Sequence, residues 1–219
     1  MFAAIEWARL CGLTGPAAWG YIAAIVLAAI AAYYSPWTPT FALAAIFWIA
    51  VAPAWMWRGV SPSRARWLAA TGFVVIVPAA LAMAALPGLQ VVLVIALASI
   101  ADAAAYFAGS AWGKNKLAPS ISPGKTREGA IGGLAAALVY AIICAALAEG
   151  IAWVPFLFSA LLLAVLSIVG DLFESALKRQ AGAKDSGSLL PGHGGVLDRI
   201  DSATATLPVA ALLIPWVVR

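Results

Sequence analysis

Charged side chains are scarce in this sequence: thirteen Lys and Arg with nine Asp and Glu amount to 10% of 219 residues. A soluble domain of that size needs a charged surface, and so few charges cannot supply one. Cysteine occurs twice, at Cys11 and Cys144, far apart and each in or beside an apolar stretch. That excludes a disulfide framework and a cysteine-held zinc site. His193 is the sole histidine, which excludes any centre built on two histidines. A basic segment, a short apolar stretch and a small-residue cleavage site are also missing at the start, where Glu6 and Arg9 precede the first long apolar run. No cleaved signal peptide is expected. What the chain has in quantity is apolar surface: 64% hydrophobic residues, ten Trp and a mean hydropathy of +0.99. A bilayer asks for no charged surface, and Trp suits its interfaces, where one side of the ring is apolar and the other wet. The composition predicts an all-α, polytopic transmembrane bundle in contact with the lipid bilayer.

A helix needs about 20 apolar residues to cross the hydrocarbon core. Seven segments approach that length: Ala17–Tyr34, Phe41–Trp57, Leu68–Leu86, Leu89–Trp112, Gly129–Ala148, Trp153–Phe173 and Val196–Val218. Residues 1–15 form a candidate interfacial helix. The net charge of +4 reads as topology, because the bases fall in short loops between the apolar runs. The loops after spans two, four and six, with Arg9 and Arg199, hold twelve of the thirteen bases, whereas the opposite loops hold only Glu149. The positive-inside rule then puts the N-terminus and the basic loops in the cytoplasm. Nucleic acid is not an expected partner. No internal repeat appears, so residues 1–219 read as a single membrane domain. Gly109–Gly113 and Gly129–Gly133 each form a G-x-x-x-G, a spacing that lets helix backbones approach closely.

Carboxylates inside membrane spans are costly and usually functional. Asp102, Asp171, Asp198 and Asp201 lie in or at the cytoplasmic ends of spans. Asp171, Glu174, Ser175 and Lys178 follow i, i+3, i+4, i+7 spacing and share one helix face; Asp198, Asp201, Ser202 and Ala205 repeat it. Two such faces can converge as an oxygen-rich cluster suited to a hard cation such as Mg²⁺. Bland readings stand beside this one. Asp171 can pair with Lys178 or Arg179, Asp198 can cap a helix N-terminus, Asp201 can pair with a nearby base, and Asp102 can be structural.

The loop carrying Lys178, Arg179, Lys184 and Asp185, then Pro191 to Gly195 with His193, combines bases with glycines that free backbone N–H groups. Polyphosphates need that combination, although a plain solvated loop has the same composition. Gly124-Lys125-Thr126 resembles the tail of a P-loop, but Pro119 stands at the required earlier glycine and no strand is expected before it. What remains is a basic turn at the start of span five, where a helix N-terminus favours an anion.

From Ser175 through Lys178-Arg179 and Lys184-Asp185 to Leu190-Pro191-Gly192-His193-Gly194-Gly195-Val196-Leu197-Asp198-Arg199-Ile200-Asp201, the sequence resembles the signature of the phosphatidate cytidylyltransferases, or CDP-diacylglycerol synthases. Asp102-x-x-Ala-Tyr-Phe-x-Gly, Ser122-Pro-Gly-Lys-Thr-x-Glu-Gly and Gly170-Asp-Leu-Phe-Glu-Ser are similar to the same family, with Arg127 departing from it. The resemblance covers the C-terminal half and marks 89–219 as the catalytic part, with 1–88 as variable N-terminal spans. It implies transfer of the cytidylyl group of CTP to phosphatidate at the cytoplasmic face of the cell (inner) membrane. It further implies Mg²⁺ at Asp171 and Asp198, supported by Asp201 and Asp102 or by a second cation, and a homodimer. With it come roles for Lys178 and Arg179 in catalysis and for Lys125, Ser175, Lys184, Asp185, His193 and Arg199 in substrate binding. Two other readings compete. A CTP-dependent lipid kinase of the dolichol kinase type would direct attack at the γ-phosphorus, and a transporter would use the intramembrane carboxylates as a pathway. The acids sit near one end of their spans, whereas a transport path needs polar groups along its length.

Overall fold

The structure, a computed structural model, describes residues 1–58, 65–187 and 194–217. In chain order it contains α1 (Phe2–Leu10), α2 (Gly15–Tyr33), α3 (Trp37–Ile46), a π-helical turn (Phe47–Val51), α4 (Ala52–Trp57), α5 (Ala65–Ala85) and α6 (Gly88–Trp112). A short hairpin, β1 (Lys116–Ala118) and β2 (Ser122–Thr126), leads to α7 (Arg127–Leu147), α8 (Trp153–Gln180) and α9 (Leu197–Val217). Among the described residues, seven helices are long and apolar enough to cross a membrane, with α3, the π turn and α4 counting as one from Trp37 to Trp57. These are the seven expected spans, and the chain is a multi-pass membrane protein. The π turn sits where Pro53 cannot donate a backbone hydrogen bond, so the helical ladder widens just ahead of it. Helix α8 runs seven residues past the expected end at Phe173, because Lys178 pairs with Glu174 at i, i+4 and extends the helix beyond the apolar run.

Helix α9 is the axis of the bundle. It packs against α3, α5, α6 and α8, and every residue from Thr204 to Ala210 is buried, so that stretch has no face left for lipid. The hydroxyls of Thr204 and Thr206 turn back to the carbonyls of Asp201 (2.6 Å) and Ser202 (2.9 Å), which keeps polar groups in this core satisfied. Helices α6 and α7 meet through the two G-x-x-x-G stretches: a Cβ on Gly129 would stand 2.7 Å from the Ala105 carbonyl, and one on Gly133 2.6 Å from that of Ala101. Only glycine permits that approach. Gly133→Leu is expected to cost about 1–3 kcal/mol by splaying the pair, seen as a lower denaturation midpoint in detergent micelles. Gly20→Ala, where a Cβ meets nothing within 4 Å, is the control and should not lower the midpoint.

The N-terminal helix is more deeply engaged than an interfacial segment requires. Trp7 is 1% exposed, donates its indole N–H to the Leu68 carbonyl (2.8 Å) and stacks on Phe173 of α8 at 6.4 Å. Cys11 and Cys144 are free thiols, and burial pushes the Cys11 thiol up to about 11, which leaves it an inert apolar group.

Candidate active site

Site residues come from the end of the bundle where α6 and α8 finish and α7 and α9 begin. The hairpin there is a departure from a purely helical expectation. Its eight strand residues include Pro123 and Gly124 and show no apolar alternation that could announce a strand. It is pinned at its base by Glu128, which accepts from the backbone N–H of Lys114 and Asn115 (3.2 Å each) and from the Asn115 amide (2.6 Å). Gly124-Lys125-Thr126 lies within β2 itself, and Thr126 caps α7 by accepting from the Gly129 N–H at 3.1 Å. A short strand thus does precede this turn, and Thr126 is used both in pairing with Lys116 and in the cap of α7.

So held, β2 points Lys125 at α8, where its ammonium forms an ion pair with Asp171. Ser175, one turn on, donates to the other oxygen of Asp171 at 3.4 Å. Lys178 reaches the opposite way and stands between Glu174 (3.0 Å) and Asp198 (2.6 Å). Asp198 is the most heavily engaged acid of the set. Its second oxygen accepts from the Ser186 N–H (3.0 Å), the Ser186 hydroxyl (2.9 Å) and the Gly195 N–H (2.7 Å). The ion pair that sequence spacing allows between Asp171 and Lys178 is therefore not made; each takes a different partner.

A polar cavity of about 950 Å³ opens between α6, α8 and the start of α9. Asp102, Asp171, Glu174, Lys178, Asp185, Asp198, Arg199 and Asp201 all line it. A second, mainly apolar cavity of about 330 Å³ lies between α6, α7, α8 and the hairpin, with Lys125 and Tyr106 in its wall. The two share Asp102, Asp171 and Ser202. Six acids line the polar cavity, against Lys178 and Arg199 in the same wall and Lys125 on Asp171, an excess of three formal negative charges (6 − 3). An anion entering this space alone would be repelled, so the donor set fits a ligand that arrives with cations. Among the described residues no three acids, histidines or cysteines stand close enough to hold an ion unaided. Carboxylate oxygens are the donors that Mg²⁺ takes, usually one or two of them with ligand oxygens completing the shell. One buried oxygen of Glu174, in the same wall, has no partner among the described residues.

Of the residues singled out by sequence, Asp102, Lys125, Asp171, Lys178, Asp185, Asp198, Arg199 and Asp201 come together around these two cavities. Arg179 lines neither; its side chain donates to the Ile121 carbonyl of the hairpin (3.4 Å). Lys184 is exposed on the loop, and His193 lies outside the described residues. Sequence reasoning passed over Glu174 as a site group although it shares the Asp171 helix face, and it passed over Glu6 and Ser186, which carry no spacing signal.

The architecture and the cavity define a class: a multi-pass membrane protein with a carboxylate- and lysine-lined chamber at one end of its bundle. The chain belongs to the Cytidylyltransferase family, whose sequence profile matches residues 1–217. It is 53% identical over 116 residues to the phosphatidate cytidylyltransferase of Pseudomonas aeruginosa, covering 52% of this chain and 43% of that protein. The phosphatidate cytidylyltransferase of Brucella suis is 59% identical over 114 residues, 51% of this chain and 40% of the relative. That of Bacillus subtilis is 49% identical over 114 residues, 52% of this chain and 42% of the relative. The matched part thus spans about two fifths of the length of these relatives.

Proposed function

We propose that this protein transfers the cytidylyl group of CTP to phosphatidate, giving CDP-diacylglycerol and pyrophosphate, with Mg²⁺, at the cytoplasmic face of the cell membrane. The observation that carries the reading is the convergence of Asp171 with Lys125 and of Asp198 with Lys178 on one chamber, where the two substrates' phosphates can meet. The names of the relatives supply the substrates, and the one-sided distribution of bases supplies the membrane face. A homodimer is part of the same reading and rests on the family resemblance alone.

The chemistry asks little of a base. A phosphatidate oxygen is already anionic; it attacks the α-phosphorus of CTP, and the bond from that phosphorus to the bridging oxygen of the β-phosphate breaks as pyrophosphate leaves. The barrier is repulsion between anions plus alignment. Asp171 and Asp198, supported by Asp201 and Asp102 or by a second cation, would hold Mg²⁺ together with phosphate oxygens of the substrates, and the ion would neutralise those oxygens during in-line displacement. Lys125 and Lys178 hold their carboxylates now and are placed to share their protons with phosphate oxygens, Lys125 from the hairpin side and Lys178 and Arg199 from the other. Ser175 orients Asp171. Arg179 fastens the hairpin to α8, and so fixes the height of Lys125 over the chamber. The polar chamber suits the nucleotide triphosphate and the apolar one beside it suits the lipid, with Asp171 common to both walls.

Purified protein in detergent, given Mg²⁺, phosphatidate and CTP labelled at either the α- or the γ-phosphorus, tests this directly. Incorporation of the α-label into lipid is the expected result. Transfer of the γ-label would assign a lipid kinase instead, and CTP-independent solute flux in proteoliposomes without lipid labelling would assign a transporter.

A further inference from the structure

Glu6 belongs to the N-terminal helix α1, yet its carboxylate is buried at the root of the site, 3% exposed. One oxygen accepts from the Val196 N–H at 2.8 Å. The other accepts from the Leu197 N–H at 2.8 Å and from the Ser186 hydroxyl at 3.0 Å. Leu197 is the first residue of α9, so the capping that sequence reasoning offered to Asp198 is performed by an acid 191 residues away. An anion is favoured there because the first N–H groups of a helix lack partners and carry partial positive charge. The chain folds tightly round this carboxylate: a Cβ on Gly187 would stand 2.5 Å from Glu6 Oε1, and one on Gly195 2.6 Å from both oxygens. Trp7, next in sequence, locks α1 in place through Leu68 and Phe173, the latter two residues from Asp171.

What Glu6 grips is one wall of the polar chamber. Ser186 divides its hydroxyl proton between Glu6 and Asp198, and its N–H and that of Gly195 are donated to Asp198 as well. Arg199 and Asp185 stand in the same wall. We propose that Glu6 is a positioning residue for the transfer reaction: from α1 it fixes the loop end and the first turn of α9, and through them Asp198 and Arg199. This role rests on the cytidylyl-transfer reading. It makes the N-terminal helix part of the site's framework.

The test compares wild type with Glu6→Gln and Glu6→Ala in the full chain. Glutamine keeps the shape, but its amide nitrogen cannot accept a hydrogen bond, so at least one buried donor loses its partner; alanine removes the grip altogether. Two readouts are made on protein whose thermal midpoint is measured alongside. The KM for CTP is expected to rise about tenfold in Glu6→Gln, the size of losing one hydrogen bond to a charged group, with KM for phosphatidate little changed. Hydrogen exchange at Val196 and Leu197 is expected to be about tenfold faster in the same variant. A merely structural role would shrink the active fraction and leave KM for CTP where it was, and that outcome overturns the proposal. If Glu6→Ala fails to fold, Glu6→Gln alone decides. Wild-type protein that does not transfer cytidylyl groups overturns the functional reading and this role with it; active wild type with Glu6→Gln at unchanged KM overturns this role alone.

Discussion

Asp171→Asn is expected to lower cytidylyl transfer about a thousandfold or more while the protein still inserts and folds. The two halves of that statement rest on different magnitudes. The Asp171–Lys125 pair is about a quarter exposed on each side, at 24% and 25%. A pair in that setting is worth about 1 kcal/mol, too little for its loss to unfold the bundle. Preorganised charge at a reacting phosphate is worth several times more. Asparagine is nearly isosteric, so it removes the formal charge without opening a cavity. The competing idea is that Asp171 serves only to neutralise a Lys125 that itself takes no part in transfer. In that case Asp171→Asn/Lys125→Met, which removes both charges, should recover transfer. The expected result is a double variant as inactive as Asp171→Asn, measured by α-labelled CTP incorporation at saturating Mg²⁺. Near wild-type rates in the single variant, at normal protein yield in membranes, would end the metal-holding assignment of Asp171.

Much of this frame could be read from residue order. Seven apolar runs became seven spanning helices, and i, i+3, i+4, i+7 spacing placed Asp171, Glu174 and Lys178 on one face of α8. Pairing could not be read in the same way. Lys178 is seven residues from Asp171, about 10 Å along the axis, while Glu174 is a single turn away and takes the ammonium instead. Asp171 finds its base 46 residues off, on a hairpin whose few residues give no strand signal. Arg179 follows Lys178 in sequence but is turned by about 100° around the helix, which sends it to the Ile121 carbonyl rather than the chamber. Glu6 was least visible of all. One acid in a nine-residue helix has no periodicity to betray it, and its partners are backbone N–H groups that any residue could carry.

Lys178→Met is the second large effect, and it falls on stability and activity together. The Lys178, Glu174 and Asp198 side chains are only 14%, 5% and 9% exposed, so the ammonium is the shared counter-charge of two buried acids. Removing it leaves both carboxylates desolvated and facing each other, and breaking a buried pair in this way costs about 3–5 kcal/mol. One oxygen of Glu174 has no partner among the described residues, and the other has Lys178 as its donor. Asp198 keeps Ser186 and Gly195. The penalty should therefore sit mostly on Glu174, and Glu174→Gln in the Lys178→Met background should return roughly half of the lost stability. Transfer should stay low in that double variant, because Arg199 is then the one base of the pair left on this side of the chamber to meet a phosphate. Chemical denaturation in micelles and α-label incorporation read the two effects separately. Recovery of stability and rate together would reduce Lys178 to a counter-charge, and an undiminished midpoint in Lys178→Met would mean that the three side chains do not form a buried network.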